Sequence, residues 1–452
     1  MESRLRKITT KYFPGMLPDD IKLMIIGYGA VAIPFLYMVL KWTNIRRENI
    51  IVIDKLEKKV PDKIRFVKLE VTINNYVQIV NEYNIRKGDT IVDLSYYVCT
   101  TSMLYMCADK GIHFINSSYE RWKIENDETF VSVGEDMCLF EKLKEKINKK
   151  SATAAILFGQ NPGIANLYLR ICLDSLDTSN KSHAEKAYNL GLETIHVSEI
   201  DNQCELNIKE NKNNEKYWRN TWSVEAFVVE SSEKAEVAFG SHEKKVPEGS
   251  KIMSVKNVNM LTLNEIGFYT KIKSYVLDRE IIGKLIQHGE TYTIAKYLSI
   301  KKYNYYPTVN YAYCHCDAAE KSYELFQEDV SKQKILDHSN SSGYDICGLL
   351  FLFNSGCSWW TGSVLGSEET KFLFPDLKHC SPTTIQVVAG IISALYLCYK
   401  YPNESIKTPD DLNDEQYKYV MKIAEPLLGD IVNKKVNYNP KSRQLTDLLV
   451  KR

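Results

Sequence analysis

A strand-like apolar run that ends directly in a glycine turn is the feature that most restricts the fold of this chain. Residues 21–26 read IKLMII and predict a short buried strand, residues 27–32 read GYGAVA, and an apolar helical stretch continues to about Trp42. A strand that turns through glycine into a helix is the usual first step of a parallel βαβ sheet. The segment therefore predicts an α/β fold.

The same segment has a second interpretation, because the eighteen residues from Leu23 to Leu40 carry no charge and are long enough to cross a membrane. Gly27, Gly29 and Pro34 interrupt this run, however, and the division into strand, turn and helix explains it better. We therefore expect a soluble protein without a membrane segment.

Short β-branched runs alternate with helical stretches through the first 160 residues. Strands are predicted over residues 21–26, 49–54, 66–71, 90–95, 112–116 and 153–158, and helices over about 30–42, 76–83 and 102–110. Continuous apolar strands separated by helices are typical of parallel sheets that are buried on both faces. We expect a Rossmann-type, doubly wound parallel sheet. A further helix is expected up to about Leu176, and a core-like one from Thr384 to Tyr401.

The glycine turn has the GxGxxA form of the dinucleotide fingerprint, in which Tyr28, Ala30 and Val31 complete the turn. Gly27 permits the tight turn, and Gly29 lets the backbone approach a pyrophosphate at the amino terminus of the helix. A glycine-rich turn in an ordinary α/β sheet is the alternative interpretation. The strand before the turn and the helix after it favour a bound dinucleotide.

Two other residues of this region are assigned to the same cofactor. Asp54 ends the second predicted strand, where an acidic residue binds both hydroxyls of the adenosine ribose and repels a 2′-phosphate. This favours NAD over NADP. Ser95 ends the fourth predicted strand at the same edge of the sheet.

Charge and cysteine content narrow the class of ligand. Lysine and arginine number 58 against 57 aspartates and glutamates, so the net charge of +1 argues against a nucleic-acid partner and favours a small molecule. The eleven cysteines are scattered, with Cys314 and Cys316 as the closest pair. We therefore expect reduced thiols in a cytoplasmic protein, and no metal site.

Polar residues follow the later predicted strands. Residues 159–163 read GQNPG after an apolar strand, so Asn161 and Pro162 lie either in a ligand-binding loop or in a purely structural turn. A polar stretch at residues 207–216 reads as a surface insertion. Glu199 and Asp201 end another apolar run, where each is either a site residue or an exposed acid at the end of a strand.

Trp222 and Glu230 lie in the segment NTWSVEAFVVE (220–230), for which we predict a helix entered near Ser223. Eight residues of helix correspond to about 800° of rotation, which would place the two on adjacent faces. An aromatic ring beside carboxylates attracts an ammonium group. A tryptophan anchored in the core, with glutamates facing solvent, is the more common arrangement. His288 precedes a predicted element, and a lone histidine is more often structural than catalytic.

Eight segments taken together resemble the bacterial and viral NAD-dependent homospermidine synthases. They read GYGAVA (27–32), GQNPG (159–163), HVSEID (196–201), NTWSVEAFVVE (220–230), GSHEK (240–244), IQHGETYTIAKY (286–297), YPTVNYAYCHCDAA (306–319) and WTGSVLGSEET (360–370). The segments run in family order over nearly the whole chain. Those around Trp222 and Tyr311 are specific, whereas the glycine fingerprint is shared by many unrelated enzymes.

The resemblance implies transfer of an aminobutyl group from putrescine, or from spermidine, to a second putrescine, with release of ammonia and with NAD recycled through imine intermediates. Glu199 and Glu230 would hold ammonium groups, and Trp222 would stabilise cationic intermediates through its π face. A desolvated carboxylate or His288 would accept the proton of a substrate amine. Asn161 would bond the substrate or the nicotinamide.

The resemblance also divides the chain. It implies an NAD-binding Rossmann-type domain (residues 1–190), an inserted α+β domain for substrate binding and dimerisation (191–345), and a mainly helical carboxy-terminal segment (346–452) that packs back on both. We expect a homodimer.

One position departs from the expected pattern. After the fourth predicted strand, where the family is expected to place an acidic residue toward the substrate, the alignment places Tyr97. Either Asp93 substitutes from a shifted register, or the protein handles one amine differently. Two alternatives to the synthase therefore stay open. One is a non-catalytic protein that binds NAD or polyamines, and the other is an amine-condensing dehydrogenase of the saccharopine or carboxynorspermidine type, which would need an anion-binding arginine.

Overall fold

The computed structural model describes residues 17–122, 132–147, 152–206, 217–325 and 332–451. The surface insertion predicted at 207–216 lies outside these ranges. The described residues fall into two units. The first unit contains residues 17–122, 140–147, 152–164 and 370–428, and the second contains residues 132–139, 165–206, 217–325, 332–369 and 429–451.

Strands are numbered in chain order: β1 (Leu23–Ile26), β2 (Ile50–Asp54), β3 (Arg65–Lys68), β4 (Thr90–Asp93), β5 (His113–Asn116), β6 (Thr153–Ala155), β7 (Leu192–Asp201), β8 (Cys204–Glu205), β9 (Trp218–Asn220), β10 (Lys234–Ala238), β11 (Lys251–Val255), β12 (Val258–Ile266), β13 (Lys271–Val276), β14 (Arg279–Ile286), β15 (Thr308–Cys314), β16 (Gln333–Ile335), β17 (Ser341–Ser342), β18 (Tyr344–Phe353), β19 (Ser358–Gly366), β20 (Ser405–Lys407) and β21 (Asp430–Val436).

The α-helices are α1 (Ala32–Trp42), α2 (Tyr76–Glu82), α3 (Thr100–Lys110), α4 (Val133–Lys146), α5 (Ile164–Leu176), α6 (His183–Asn189), α7 (Val224–Ser232), α8 (Gly289–Tyr297), α9 (Asp317–Leu325), α10 (Ser367–Leu373), α11 (Pro382–Lys400), α12 (Asp414–Ala424) and α13 (Leu445–Leu448).

The first unit is built on a parallel sheet of seven strands in the order β20-β6-β5-β4-β1-β2-β3. Six of these strands follow the doubly wound order 3-2-1-4-5-6, in which ligands bind where the order reverses, beside β1 and β4. The predicted α/β fold with a parallel amino-terminal sheet is confirmed. All six strands are shorter than expected, and the largest difference is in β6, which ends at Ala155.

The second unit is built on a mixed sheet of ten strands. Its main path is β11-β12-β10-β15-β7-β18-β19-β21, and β14 joins β13 to β15. The central pair β15 and β7 is parallel, whereas β18 is antiparallel to β7. Ile200, Ala312, Ile346 and Leu350 from these strands lie in one hydrophobic cluster. Because successive side chains of a strand point to opposite faces, the residues between them form the other face.

Helix α11 is the one described helix that is long and apolar enough to cross a membrane, and 89% of its apolar window is buried inside the structure. Ser381 caps its first turn by accepting the backbone N–H of Thr384. The hydroxyl of Tyr396 on this helix donates to the backbone carbonyl of Trp42, 2.7 Å away, at the end of α1. This helix packs inside the first unit, as its core-like spacing predicted.

The two units differ from the predicted domain bounds of 1–190, 191–345 and 346–452. The last of these segments contains strands as well as helices, and it is divided between the two units. Strands β18, β19 and β21 belong to the sheet of the second unit, while α11, α12 and β20 belong to the first. Residues 165–190 also belong to the second unit. The reason is long-range strand pairing, which local periodicity does not reveal: β18 pairs with β7, and β20 pairs with β6.

Candidate functional site

The turn after β1 requires glycine at its first position. Gly27 has a φ of +84°, and a Cβ there would lie 2.8 Å from the backbone of Leu94 and Ser95. Its N–H donates to the carbonyl of Ile53 at 2.8 Å. The turn is therefore fitted between the ends of β2 and β4, where the strand order reverses.

Gly29, by contrast, borders open space, since a Cβ there would meet no heavy atom within 4 Å. The first helical bond runs from the N–H of Ile33 to the carbonyl of Gly29, so the N–H groups of residues 30–32 precede the intrahelical ladder. These groups and the helix dipole favour an anion. Ala32 is fully buried. The turn could therefore accommodate a pyrophosphate, which is the role that the fingerprint predicts for it.

Asp54 ends β2 and closes the turn. Its Oδ2 accepts the N–H of Tyr28 and its Oδ1 accepts the N–H of Leu56, each at 2.7 Å. Each carboxylate oxygen keeps a second lone pair that could accept a hydroxyl proton. A ribose with free hydroxyls suits this half-buried carboxylate, and a 2′-phosphate would be repelled by its charge.

The loop after β4 contains Tyr97, which stands where an acidic residue is expected, and Asp93, the candidate substitute, ends β4. The N–H and hydroxyl of Ser95 donate to Oδ1 of Asp93, at 3.1 and 2.6 Å. Burial raises the pKa of Asp93 to about 7, while the bonds from Ser95 oppose the rise. Tyr97 has a φ of +70° and its ring contacts Tyr96, with centroids 4.1 Å apart. Asp93 therefore stabilises the loop that follows β4 by accepting hydrogen bonds from Ser95.

The loop after β6 is a closed turn at the carboxyl edge of the same sheet. The N–H of Gly159 donates to the carbonyl of Pro162 at 2.8 Å. Gly163 has a φ of +147°, and a Cβ there would collide with the carbonyl of Gly159. The side chain of Gln160 donates to that of Gln386, on α11, at 2.9 Å. Asn161 is half-buried at the tip of this fixed loop.

In the second unit, one face of the mixed sheet carries acidic and phenolic side chains. Strand register places Glu199 beside Tyr313 and Cys347, and Asp201 opposite Asp345. We call the set Glu199, Asp201, Tyr311, Tyr313, Asp345 and Cys347 the acidic face. All six residues are at least 97% buried. Glu199 and Asp201 are therefore not exposed acids at the end of a strand.

Glu199 is held by a phenol. The hydroxyl of Tyr311 donates to its Oε2 at 2.9 Å. Burial, followed by the negative charge of Glu199, raises the pKa of Tyr311 well above its usual range, so the phenol keeps its proton. Tyr311 in turn stacks on Tyr313, with ring centroids 5.4 Å apart. Glu199 is a fixed buried acceptor.

His288 lies between two carboxylates. Its Nδ1 is 3.2 Å from Oε1 of Glu290, and its Nε2 is 3.6 Å from Oε2 of Glu230. Its ring also packs on Tyr311, with centroids 4.4 Å apart. Burial opposes protonation of His288, but the charges and hydrogen bonds of Glu290 and Glu230 outweigh it and hold its pKa well above the usual value. This histidine is therefore not an isolated structural residue.

Trp222 lies before α7, not on it. Ser223 is the N-cap of α7 and accepts the N–H of Ala226, so the helix is entered where the sequence predicted. The expectation that Trp222 and Glu230 lie on adjacent faces of one helix is wrong, because Trp222 precedes the cap. The indole N–H instead donates to the hydroxyl of Tyr313 at 3.3 Å, which places the ring beside the acidic face.

Sequence reasoning missed Glu290 and the two tyrosines of β15 as site residues, although it quoted the segments that contain them. The alternation YAY, whose tyrosines share one face of a strand, was the available signal for Tyr311 and Tyr313. No comparable pattern marked Glu290. Among the described residues, no group of three or more histidine, cysteine or acidic side chains could hold a metal ion.

The fold and the two sites define an α/β protein with a dinucleotide-binding type of sheet in one unit and an acidic, aromatic face in the other. The chain matches the saccharopine dehydrogenase NADP binding domain over residues 23–155 and the saccharopine dehydrogenase C-terminal domain over residues 159–434. It belongs to the saccharopine dehydrogenase family.

Within this family the chain is similar to two curated homospermidine synthases. The protein of Mesorhizobium japonicum is 26% identical over 459 residues, and that of Blastochloris viridis is 26% identical over 450 residues. Each alignment covers 93% of this chain and 92% of the relative.

Solved structures show the same fold. The homospermidine synthase of Legionella pneumophila, solved in complex with NAD, has a TM-score of 0.83 at 24% identity and covers 96% of this chain and 98% of its own. Apo saccharopine dehydrogenase from Saccharomyces cerevisiae has a TM-score of 0.53 at 11% identity, covering 92% of this chain and all of its own.

Proposed function

We propose that this protein is an NAD-dependent homospermidine synthase. It transfers an aminobutyl group from putrescine, or from spermidine, to putrescine and releases ammonia when putrescine is the donor. The observation that carries the proposal is the set of carboxylates around His288 and Tyr311, in which Glu199 and Glu290 are buried and Glu230 is half-buried. Buried negative charge of this kind needs cationic partners, and diamines are dications at neutral pH. The similarity to curated homospermidine synthases over 93% of the chain supports the same reaction.

NAD fits the first unit. When bound, NAD would accept a hydride from the amine carbon and return it to the last imine. The N–H groups of residues 30–32 would hold its pyrophosphate, and Asp54 would accept the ribose hydroxyls. Ser95 and Pro162 follow β4 and β6 at the same edge of the sheet, and we propose that they also contact the cofactor. The matched family domain is described as NADP-binding, whereas the charge of Asp54 favours NAD, which is also the cofactor in the Legionella structure.

Ammonium recognition belongs to the acidic face and to α7. Glu199 and Glu230 would each accept an ammonium N–H, and a charge-assisted hydrogen bond of this type is about twice as strong as a neutral one. The π face of Trp222 would stabilise a cationic intermediate, an effect worth about 0.5–2 kcal/mol. Because the indole N–H is bonded to Tyr313, the ring orientation is fixed before substrate arrives.

Proton transfer is the role we propose for His288. At neutral pH the two flanking carboxylates keep it protonated, so it cannot accept a proton in that state. A substrate ammonium bound to Glu230 would neutralise one of these charges and lower the pKa of His288. The imidazole could then take the proton of the reacting amine and later return it to the departing ammonia.

Asn161 and Tyr97 are the remaining predicted positions. Asn161 is presented by a closed loop at the carboxyl edge of β6, and we propose that its amide bonds the substrate or the nicotinamide. Because Asp93 is buried and bonded to Ser95, we propose that it does not replace an acidic residue at position 97. We infer that this enzyme binds one amine without a carboxylate there, and that its preference among diamines differs accordingly.

We also propose that the protein is a cytoplasmic homodimer. Its eleven cysteines are all free, six of them buried, which suits a reducing compartment. The edge strand β11 exposes Ile252 at 46% of its surface, and an exposed apolar edge is a site where a second chain can pair. Light scattering of the purified protein tests the dimer, and a mass corresponding to one chain would refute it.

The function is tested by incubating the purified protein with putrescine and a catalytic amount of NAD, with products identified by mass spectrometry. We expect homospermidine and ammonia in many-fold excess over NAD, and slower turnover with NADP. Accumulation of NADH without homospermidine would identify an amine dehydrogenase instead. Binding of NAD and putrescine without any product would identify a non-catalytic protein.

Two glutamates of the same helix test the site assignment. Glu230→Gln removes the charge that faces His288, and we expect turnover to fall at least about a hundredfold, as for loss of a general acid–base element. Glu225→Gln, in the first turn of α7, is the matched control and should keep near-normal turnover. Equal activity of the two variants would remove Glu230 from the site.

A further inference from the structure

Glu290 is the most deeply buried of the charged groups around His288. It is the second residue of α8 and is fully buried. Its Oε1 faces Nδ1 of His288 at 3.2 Å. Its Oε2 has no hydrogen-bond partner among the described residues. A buried carboxylate oxygen left without a partner destabilises the folded state, so a purely stabilising role does not account for this residue.

A second buried histidine–glutamate contact in the same unit shows what a structural arrangement looks like. Nε2 of His242 is 3.7 Å from Oε1 of Glu243, whose side chain is also fully buried. Both oxygens of Glu243 are used, because the hydroxyl of Thr308 donates to Oε1 and the N–H of Leu445 donates to both. Glu243 thereby fixes the start of α13. Glu290 accepts no backbone N–H from the part of the chain that the structure describes.

We propose that Glu290 is a positioning residue, which holds the proton on Nδ1 of His288 and so reserves Nε2 for the proton that is exchanged with the amine. This inference rests on the proposed function. The geometry supports it, because one carboxylate faces each ring nitrogen and only Glu230, with a side chain that is 26% exposed, is accessible to a ligand.

The proton balance closes within this arrangement. When an ammonium binds Glu230, Nε2 of His288 releases its proton to solvent and then takes one proton from the reacting ammonium, which becomes a neutral amine. The second putrescine adds to the imine carbon as a neutral amine, and its nitrogen then gives one proton to solvent. Nε2 returns its proton to the departing nitrogen, which leaves as ammonia. Throughout, Nδ1 keeps its proton because the charge of Glu290 stays beside it. Histidine tautomers are set in this way by the group that the other nitrogen bonds.

Several groups face this pair from the neighbouring elements and contribute to its titration. They are Glu230 on α7, Tyr311 on β15, His315 just beyond β15 and Cys347 on β18. Burial, and then the charges of Lys284 and His288, lower the pKa of His315 to about 3, so it stays neutral when His288 titrates. Burial raises the pKa values of Tyr311 and Cys347, so these groups also stay protonated. The carboxylates therefore govern His288.

The test compares Glu290→Gln with the matched control Glu243→Gln. Histidine ring signals are followed by NMR as a function of pH, with His288 assigned from the His288→Gln variant. In Glu290→Gln we expect the titration midpoint of His288 to move to lower pH, and kcat for homospermidine to fall about 10- to 100-fold, with KM for putrescine changed much less. In Glu243→Gln we expect an unchanged midpoint and unchanged kcat, with a lower melting temperature.

An unchanged His288 midpoint in Glu290→Gln would overturn the proposal. If that variant does not fold, Glu290→Asp moves the carboxylate away from Nδ1. We then expect a smaller shift of the His288 midpoint to lower pH, and an unchanged midpoint would again overturn the proposal. The NMR measurement needs no turnover. If no preparation makes homospermidine, the proposed function fails while the link between Glu290 and His288 is still decided.

Discussion

The carboxylate of Asp201 accepts the hydroxyl proton of Thr221, the residue directly before Trp222. Its other oxygen accepts the backbone and side-chain N–H groups of Gln203, at 3.0 and 2.9 Å. A buried carboxylate on β7 thus holds the loop that carries the indole. Burial raises the pKa of Asp201 to about 6, while these hydrogen bonds oppose the rise. The position of Trp222 depends on this acid.

Thr221→Val keeps the shape of the side chain but removes the donor to Asp201. The loop should loosen, because an unsatisfied buried carboxylate oxygen costs about 1–3 kcal/mol. We expect a lower melting temperature and a fall of kcat of about tenfold. Thr221→Ser, which retains the hydroxyl, is the control and should recover most of the activity. Equal kcat in both variants would show that the hydrogen bond does not matter.

Trp222→Ala and Trp222→Phe separate the aromatic ring from the bulk of the side chain. A phenyl ring keeps part of the cation–π attraction, whereas alanine keeps none. We expect kcat to fall about 10- to 100-fold in the alanine variant and clearly less in the phenylalanine variant, with NAD binding unchanged in both. The order of kcat values is the measurement, and a phenylalanine variant as inactive as alanine would contradict the π-face role.

Substitutions at the two glycines of the first turn should have different effects, one on NAD affinity and the other on stability. Gly29→Val adds a side chain to open space and should leave the melting temperature nearly unchanged, while NAD affinity falls sharply because the pyrophosphate can no longer approach. Gly27→Ala forces a Cβ onto the backbone of Leu94 and Ser95, so we expect loss of several kcal/mol of stability. Thermal denaturation and NAD titration distinguish them. Normal NAD binding by Gly29→Val would place the cofactor elsewhere.

Asp54→Asn tests the cofactor preference. Asn keeps an oxygen that can accept the N–H of Tyr28, but removes the charge that repels a 2′-phosphate. The ratio of kcat/KM with NAD to that with NADP should fall about tenfold or more, by loss of NAD binding and gain of NADP use. Glu57→Gln, an exposed acid three residues later, should keep the wild-type ratio.

The raised pKa of Asp93 should make the stability of the protein depend on pH. Its folded pKa of about 7 exceeds the ordinary value of 3.8, so the folded state holds more protons between these values. Stability must therefore fall as the pH rises from about 4 to about 7, and stay low above that range. Asp93→Asn removes this titration. We expect the variant to gain about 1–3 kcal/mol over the wild type at pH 8 and nothing at pH 4, measured by urea unfolding without cofactor.

The first unit was largely predictable because its signals are local. Alternating strands and helices, the glycine turn and Asp54 each depend on residues within a few positions of one another, and the structure places them as expected. The entry of α7 at Ser223 was predictable for the same reason. Local side-chain chemistry and periodicity are what a sequence displays directly.

The second unit was less predictable because its site is assembled by strand pairing. Glu199 and Tyr311 come together only through the parallel register of β7 and β15, and Glu290 joins them from the start of α8. The periodicity within a single segment does not indicate which residues of distant segments will be in contact. The resemblance supplied the roles expected for Glu199, Trp222, Glu230 and His288, but it did not indicate the tyrosines or Glu290.

The seventh strand of the parallel sheet has a consequence for synthesis on the ribosome. Glu404, next to β20, donates its N–H to Thr153 of β6 across 251 positions of sequence. The edge of β6 therefore cannot pair with β20 until most of the chain has been translated. The residues of the second unit that lie between the two strands are synthesised during this interval. At about 5–20 residues per second this interval lasts roughly 13–50 seconds. During it the nascent chain exposes an unpaired strand edge, so production in cells should respond to chaperone supply and to translation rate.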